Sequence, residues 1–231
     1  MTGVRATMCM LPGRYPESLK TVNSLEGQVD RLYLYLNDFW HIPIEIKKDW
    51  IEIIHMGKNL GDASRFYLLR NTGDVDYDII SCDDDLIYPP TYVQDFLKYK
   101  EAHPGCLLTH HGNVAYNTSE GFRYKAAVRV RNENKSIVRL ATPGSGASFI
   151  PKELFNKMEF NSKVSYNQSD IHLACNCHVN NFPIIGLPHP SWYVEYFHPK
   201  DGYTIWETVT SKPDWMSKVY EIYQSYGIKT S

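Results

Sequence analysis

Ser81-Cys82-Asp83-Asp84-Asp85-Leu86-Ile87-Tyr88-Pro89-Pro90 sets three consecutive carboxylates between an apolar run and a double proline. Mutual repulsion makes such a triplet costly unless a cation is shared, so the stretch points to chemistry before it points to a turn. The run from Asp76 to Cys82 that feeds it reads as a strand, and Pro89-Pro90 closes the short apolar step beyond it.

Upstream, Arg5 to Leu11 is apolar and ends at Pro12-Gly13, after which Tyr15 to Glu26 carries Leu19, Val22 and Leu25 at helical spacing. Arg31 to Leu36 and Trp50 to His55 read as further strands, closed by Asn37-Asp38 and by Gly57. Asn59-Leu60-Gly61-Asp62 opens a helix running to Arg70, with Asp62 or Ser64 as its cap. Downstream, helices are expected at Tyr92 to His103, Lys152 to Met158, Asp170 to Val179 and Asp214 to Tyr226, with a strand at Cys106 to His110. Ser169 or Asp170 is the expected cap of the third of these helices. The polar, basic stretch from Gly112 to Leu140 is read as a β excursion. Strand and helix alternating at this density predict an α/β fold, a mainly parallel central sheet flanked by helices. Ligands of such sheets bind at the carboxyl ends of the strands, which is where the triplet lies. No repeat or Ser/Gly-rich linker divides residues 1–231, so a single domain is expected.

Composition narrows the partners. Hydrophobic residues at 43% and charged residues at 22% are those of an ordinary globular chain, and a formal net charge of -2 supplies no basic field for nucleic acid. No run of about 18 apolar residues and no signal-peptide pattern occurs, so the chain reads as cytoplasmic. The odd cysteine set, Cys9, Cys82, Cys106, Cys175 and Cys177, fits reduced thiols. Cys175-Asn176-Cys177-His178 misses the haem-attachment spacing by one residue and is read as core packing.

In an extended segment Asp83 and Asp85 face one way while Asp84 turns aside. Two hard oxygen ligands suit Mn²⁺ or Mg²⁺ held jointly with substrate phosphates, so a diphosphate is the expected substrate group. The bland reading, a helix-capping or solvated acidic turn, stands beside it.

The strand, the D-x-D, the short apolar step and the proline resemble the metal motif of GT-A glycosyltransferases, above all of the family 2 type. Asn59-Leu60-Gly61 through Arg65 and Phe66 to the triplet is similar to that family's spacing, and so is Met10-Leu11-Pro12-Gly13-Arg14 followed by Ser24-Leu25 and Gln28. The likeness extends from about residue 4 to 92 and is looser beyond. It implies a GT-A, Rossmann-like domain with residues 4–110 as the nucleotide-binding half and 111–231 as the acceptor-binding half. It further implies metal-dependent, inverting transfer of a sugar from a nucleotide diphosphate donor, UDP-sugar favoured, to a glycan or lipid-linked glycan hydroxyl in bacterial surface polysaccharide synthesis. Asp85 would ligate Mn²⁺ or Mg²⁺, with Asp83 reaching the ribose or a metal-bound water and His198, in preference to His189, completing the shell. Pro12, Arg14, Asn37, Asp38, Asp62, Arg65, Asp84 and Gly146 would line the nucleotide sugar. Asp170 would be the general base, although Ser169 stands where the family more often has an acidic neighbour; a helix cap is the plain alternative. Peripheral association with the inner membrane face and homo-oligomerisation accompany the same resemblance.

Trp192, Tyr193, Tyr196 and Trp206 offer faces for stacking on sugars, while packing on the sheet is the commoner use of such residues. The competing functions are an inactive nucleotide- or carbohydrate-binding module or partner subunit, a D-x-D phosphohydrolase and a nucleotidyltransferase. The second lacks a Thr or Val at position 87, where Ile87 stands, and the third lacks a Gly/Lys-rich phosphate grip in the first loop.

Overall fold

The computed structural model describes residues 3–119, 121–160, 167–197 and 214–229. In chain order the elements are β1 (Val4–Met10), α1 (Leu19–Leu25), β2 (Arg31–Leu36), β3 (Ile51–His55), α2 (Ser64–Arg70), β4 (Asp78–Cys82), β5 (Leu86–Ile87) and α3 (Tyr92–Ala102). They continue with β6 (Leu107–Thr109), β7 (Gly112–Thr118), β8 (Gly121–Val128), β9 (Val138–Leu140), β10 (Thr142–Pro143), β11 (Ala147–Ile150), α4 (Lys152–Phe155), α5 (Ser169–Val179), β12 (Ile184–Gly186), β13 (Glu195–Tyr196) and α6 (Trp215–Ser225). Eight strands form one sheet in the order β3-β2-β1-β4-β11-β6-β12-β9.

Central strands buried on both faces need near-continuous apolar sequence, and β4 (DIISC) and β11 (ASFI) are buried at every position. Successive side chains go to opposite faces. Ile80 and Phe149 join Met8, Leu34 and Phe96 in one core, beneath α1 and α3. Ile79 and Ile150 join Phe66, Leu154, Phe155 and Leu173 in the other, beneath α2, α4 and α5. Burying about ten such large side chains per face, at roughly 1.5–3 kcal/mol each, is what holds helices to both sides of the sheet.

The alternation of strand and helix reports the layers but not every strand direction. β1, β2, β3 and β4 run parallel, whereas β11 is antiparallel to both its neighbours β4 and β6. The excursion expected between 112 and 140 is a β7–β8 hairpin extended by β10 into a separate three-stranded sheet. Neither expected helix cap forms. Ala63 and Gln168 occupy the two cap positions, because the Asp62 side chain is drawn across the cleft to Ser169 and the Asp170 side chain to the loop before β11. Cys175 and Cys177 are free and buried, as read from sequence. Among the described residues no helix is long and apolar enough to cross a membrane.

Candidate active site

The parallel strands deliver their carboxyl ends to one edge of the sheet. There β1 runs into the 3-10 turn Pro12–Arg14, β2 into Asn37, and β4 into the triplet. β11 is antiparallel, so the loop preceding it, with Ser145 and Gly146, comes to the same edge, and the amino end of α5 brings Asp170. Together they bound a cleft of about 540 Å³.

The chain turns at Asp84 and Asp85 instead of staying extended, so the expected alternation of the triplet fails. Asp84 and Asp85 share one cation. The Arg14 guanidinium donates to Asp84 through Nη1 and lies 3.1 Å from Asp85 Oδ2. The Leu11 amide adds a 3.2 Å bond to Asp84, which is buried. Asp83 goes the other way and pairs at 2.7 Å with Nη1 of Arg65, a residue only 1% exposed. The same guanidinium donates to the Cys82 carbonyl, to Ser145 Oγ at 3.0 Å and to Ser169 Oγ at 3.3 Å. One arginine of the first half thereby ties β4 to the loop before β11 and to α5.

Burial, more than mutual repulsion, pushes the Asp85 carboxyl up to about 7, with Arg14 opposing the shift. Asp170 accepts a 2.7 Å bond from the Ser145 amide, and burial raises its carboxyl to about 6, an acidity suited to taking a proton near neutrality. Asp62 is raised by burial as well and accepts 3.1 Å and 2.5 Å bonds from the amide and hydroxyl of Ser169. Three side-chain oxygens at the cleft, Asn37 Oδ1, Asp62 Oδ1 and Gln168 Oε1, are buried without a partner. Orphaned acceptors of this kind are expensive unless something donates to them, which marks the cleft as built for a ligand.

Of the residues singled out from sequence, Arg14, Asn37, Asp62, Arg65, Asp83, Asp84, Asp85 and Asp170 line the cleft. Gly146 lies directly behind Asp83: a Cβ at that position would stand 2.0 Å from Asp83 Oδ2, so only glycine leaves the carboxylate room. Pro12 is exposed outside the cleft lining, and Asp38, at φ +60°, is exposed in the turn after β2. His198 lies outside the described residues. His189 is buried and is not part of the cleft lining; it is stacked edge-on to His110 and beside Tyr193, with Nδ1 2.9 Å from the Pro190 carbonyl oxygen. Sequence reasoning missed Ser145, Gln168, Asn113, Tyr124 and Trp215, which also face the cleft.

The donor set fits a hard divalent cation. The triplet offers it carboxylate oxygens, and Arg14 already bridges Asp84 and Asp85 as a cation would. Among the described residues no three His, Cys, Asp or Glu side chains converge as a complete cage.

No family model matches the sequence, and no curated protein does. Solved structures do. A crystal structure of GalNAc-T7 with UDP, GalNAc and Mn²⁺ superposes with a TM-score of 0.67 at 8% identity, over 96% of this chain and 47% of that one. A crystal structure of S. aureus TarS 1-349 superposes with a TM-score of 0.59 at 10% identity, over 96% of this chain and 71% of that one. The chain spans less than half the length of the first. What these superpositions share with it is the architecture, and the chain has the GT-A glycosyltransferase fold.

Proposed function

We propose that this protein transfers a sugar from a nucleotide diphosphate donor, a UDP-sugar, to a hydroxyl of a glycan or lipid-linked glycan. The observation that carries the proposal is the opposition, across one cleft of a GT-A fold, of the acidic triplet and Asp170. GalNAc-T7, similar in fold, was crystallised with UDP and Mn²⁺, which supports the same donor class and cation here.

In this reading Asp83, released from Arg65, and Asp85 would hold Mn²⁺ or Mg²⁺, which would neutralise charge on the leaving diphosphate. His198 is kept as a further ligand because its predecessor, Phe197, donates an amide bond of 3.1 Å to the Asp85 carbonyl. Asn37 and Asp62 offer acceptors to the nucleoside, and Arg14, at the same carboxylates, would be the cation available to the diphosphate. Asp170 accepts the proton of the acceptor hydroxyl as it attacks the anomeric carbon, and the Ser145 amide holds it in place. A base on the face opposite the leaving group makes the transfer inverting. Residues 4–110 serve the donor and 111–231 the acceptor. Synthesis of bacterial surface polysaccharide at the inner membrane face accommodates this chemistry.

Thermal unfolding with Mn²⁺, with UDP and with both tests the proposal. The pair together at saturating concentration is expected to raise Tm by about 5–10 °C, and Asp85→Ala to remove the rise. No shift for wild type with any nucleotide, together with no consumption of any nucleotide sugar, overturns it.

A further inference from the structure

Beside the cleft the surface carries an aromatic pair with an arginine laid across it. The Arg131 guanidinium carbon is 3.4 Å from the centre of the Tyr196 ring and 5.6 Å from that of Trp192. Trp192 is 59% exposed, and its backbone is left-handed at φ +58°, a conformation that costs a bulky side chain roughly 1–3 kcal/mol. Ordinary core packing does not account for a tryptophan held in that geometry to face water. Arg131 is exposed, and among the described residues no carboxylate or hydrogen-bond acceptor engages its guanidinium.

Two independent anchors fix this platform beside the reaction centre. Tyr196 pairs with Leu86 in the β13–β5 ladder, one residue past the triplet, and the Phe197 amide bonds to the Asp85 carbonyl. At the other end, Arg129, two residues before Arg131, donates at 2.8 Å to Oδ1 of Asn113, a residue of the cleft lining. The Trp192 amide bonds to the Arg131 carbonyl at 3.2 Å, so the two strands of the platform are held together.

We infer that Trp192, Tyr196 and Arg131 form an acceptor subsite for a pyranose that bears an anionic group. The apolar face of a sugar ring stacks on the indole, and the N–H groups of a guanidinium already held over the tyrosine ring grip a carboxylate or phosphate on that sugar. The inference rests on the proposed sugar transfer for its placement on the acceptor side, and it names the class of acceptor: an acidic glycan. Tyr193, which sequence grouped with these aromatics, is committed elsewhere through a 2.6 Å bond from its hydroxyl to Asp95.

Isothermal titration of the full chain tests it, using three matched oligosaccharides: neutral, uronate-bearing and phosphate-bearing. UDP with Mn²⁺ is titrated on the same samples. The uronate or the phosphate glycan is expected to bind at least about tenfold more tightly than the neutral one, and the stronger of the two identifies the anion. Arg131→Gln, an exposed change that leaves folding alone, is expected to erase that preference, and Trp192→Ala to weaken every glycan. Equal binding of all three, binding of none, or an unchanged preference in Arg131→Gln overturns the subsite. UDP binding without glycan preference sinks the subsite and leaves the transferase reading standing; glycan preference without binding of any nucleotide does the reverse.

Discussion

The two carboxylate stations of the cleft share burial and differ in their partners. Asp83, Asp84 and Asp85 are each opposed by an arginine, Arg65 on one side and Arg14 on the other. Asp170 forms no such ion pair among the described residues; Ser145 bonds it, and burial raises its carboxyl to about 6. The difference separates two kinds of work. Burial raises Asp84, Asp85 and Asp170 alike, Asp85 to about 7 and Asp170 to about 6, so what separates the stations is the guanidinium: Arg14 opposes the shift at the triplet and can give way to another cation, while Asp170 is left to exchange a proton.

The comparison breaks most visibly at Asp170. Asp170→Asn is expected to cut kcat about 10²–10⁴-fold while UDP and Mn²⁺ still raise Tm; comparable loss of nucleotide binding would place Asp170 on the donor side instead. In the wild type kcat should rise with pH through about 6, the acidity of this carboxyl, and level off above it. Stability should move oppositely. The folded carboxyls of Asp170 and Asp85 bind protons that the unfolded chain has released above pH 4, so Tm falls between pH 4 and about 7, and saturating Mn²⁺ should flatten the upper part of that fall.

Next in size is Arg65→Met. It removes the guanidinium bonds to Ser145 and Ser169, which keep each other and Asp62 as partners, and leaves Asp83 unpaired, for about 3 kcal/mol of stability, the low end for a buried pair because Asp83 remains partly solvated. Chemical denaturation reads this directly. The smallest effect sharpens the contrast. Arg14→Ala removes the cation that competes for Asp84 and Asp85, and Mn²⁺ affinity measured by electron paramagnetic resonance should rise by up to about fivefold. Affinity that falls would show Arg14 organising the triplet rather than competing for it.

The layers were legible because each strand is a short apolar run and each helix an amphipathic one, punctuated by Pro12-Gly13, Asn37-Asp38 and Pro104-Gly105. The triplet was legible because three adjacent charges have no local excuse. Its internal geometry was not, since the turn at Asp84 and Asp85 is imposed by Arg14 and the Leu11 amide, about 70 residues earlier in the chain. Ser145 and Gln168 escaped for a related reason. The serine contributes a backbone amide that any residue carries, and the glutamine is brought to the cleft by a left-handed backbone at φ +67° that no residue pattern announced. Asp38 shows the converse, an acidic residue in the right place along the chain whose turn points it into water.

The place of β11 also governs how the chain comes to be folded. It is the eleventh strand to be synthesised, yet it fills the gap between β4 and β6 at the middle of the sheet. Until residue 150 has left the ribosome, both of those apolar strands present an open edge that any other strand could occupy. Truncation before residue 147 should therefore yield an aggregate instead of a smaller domain.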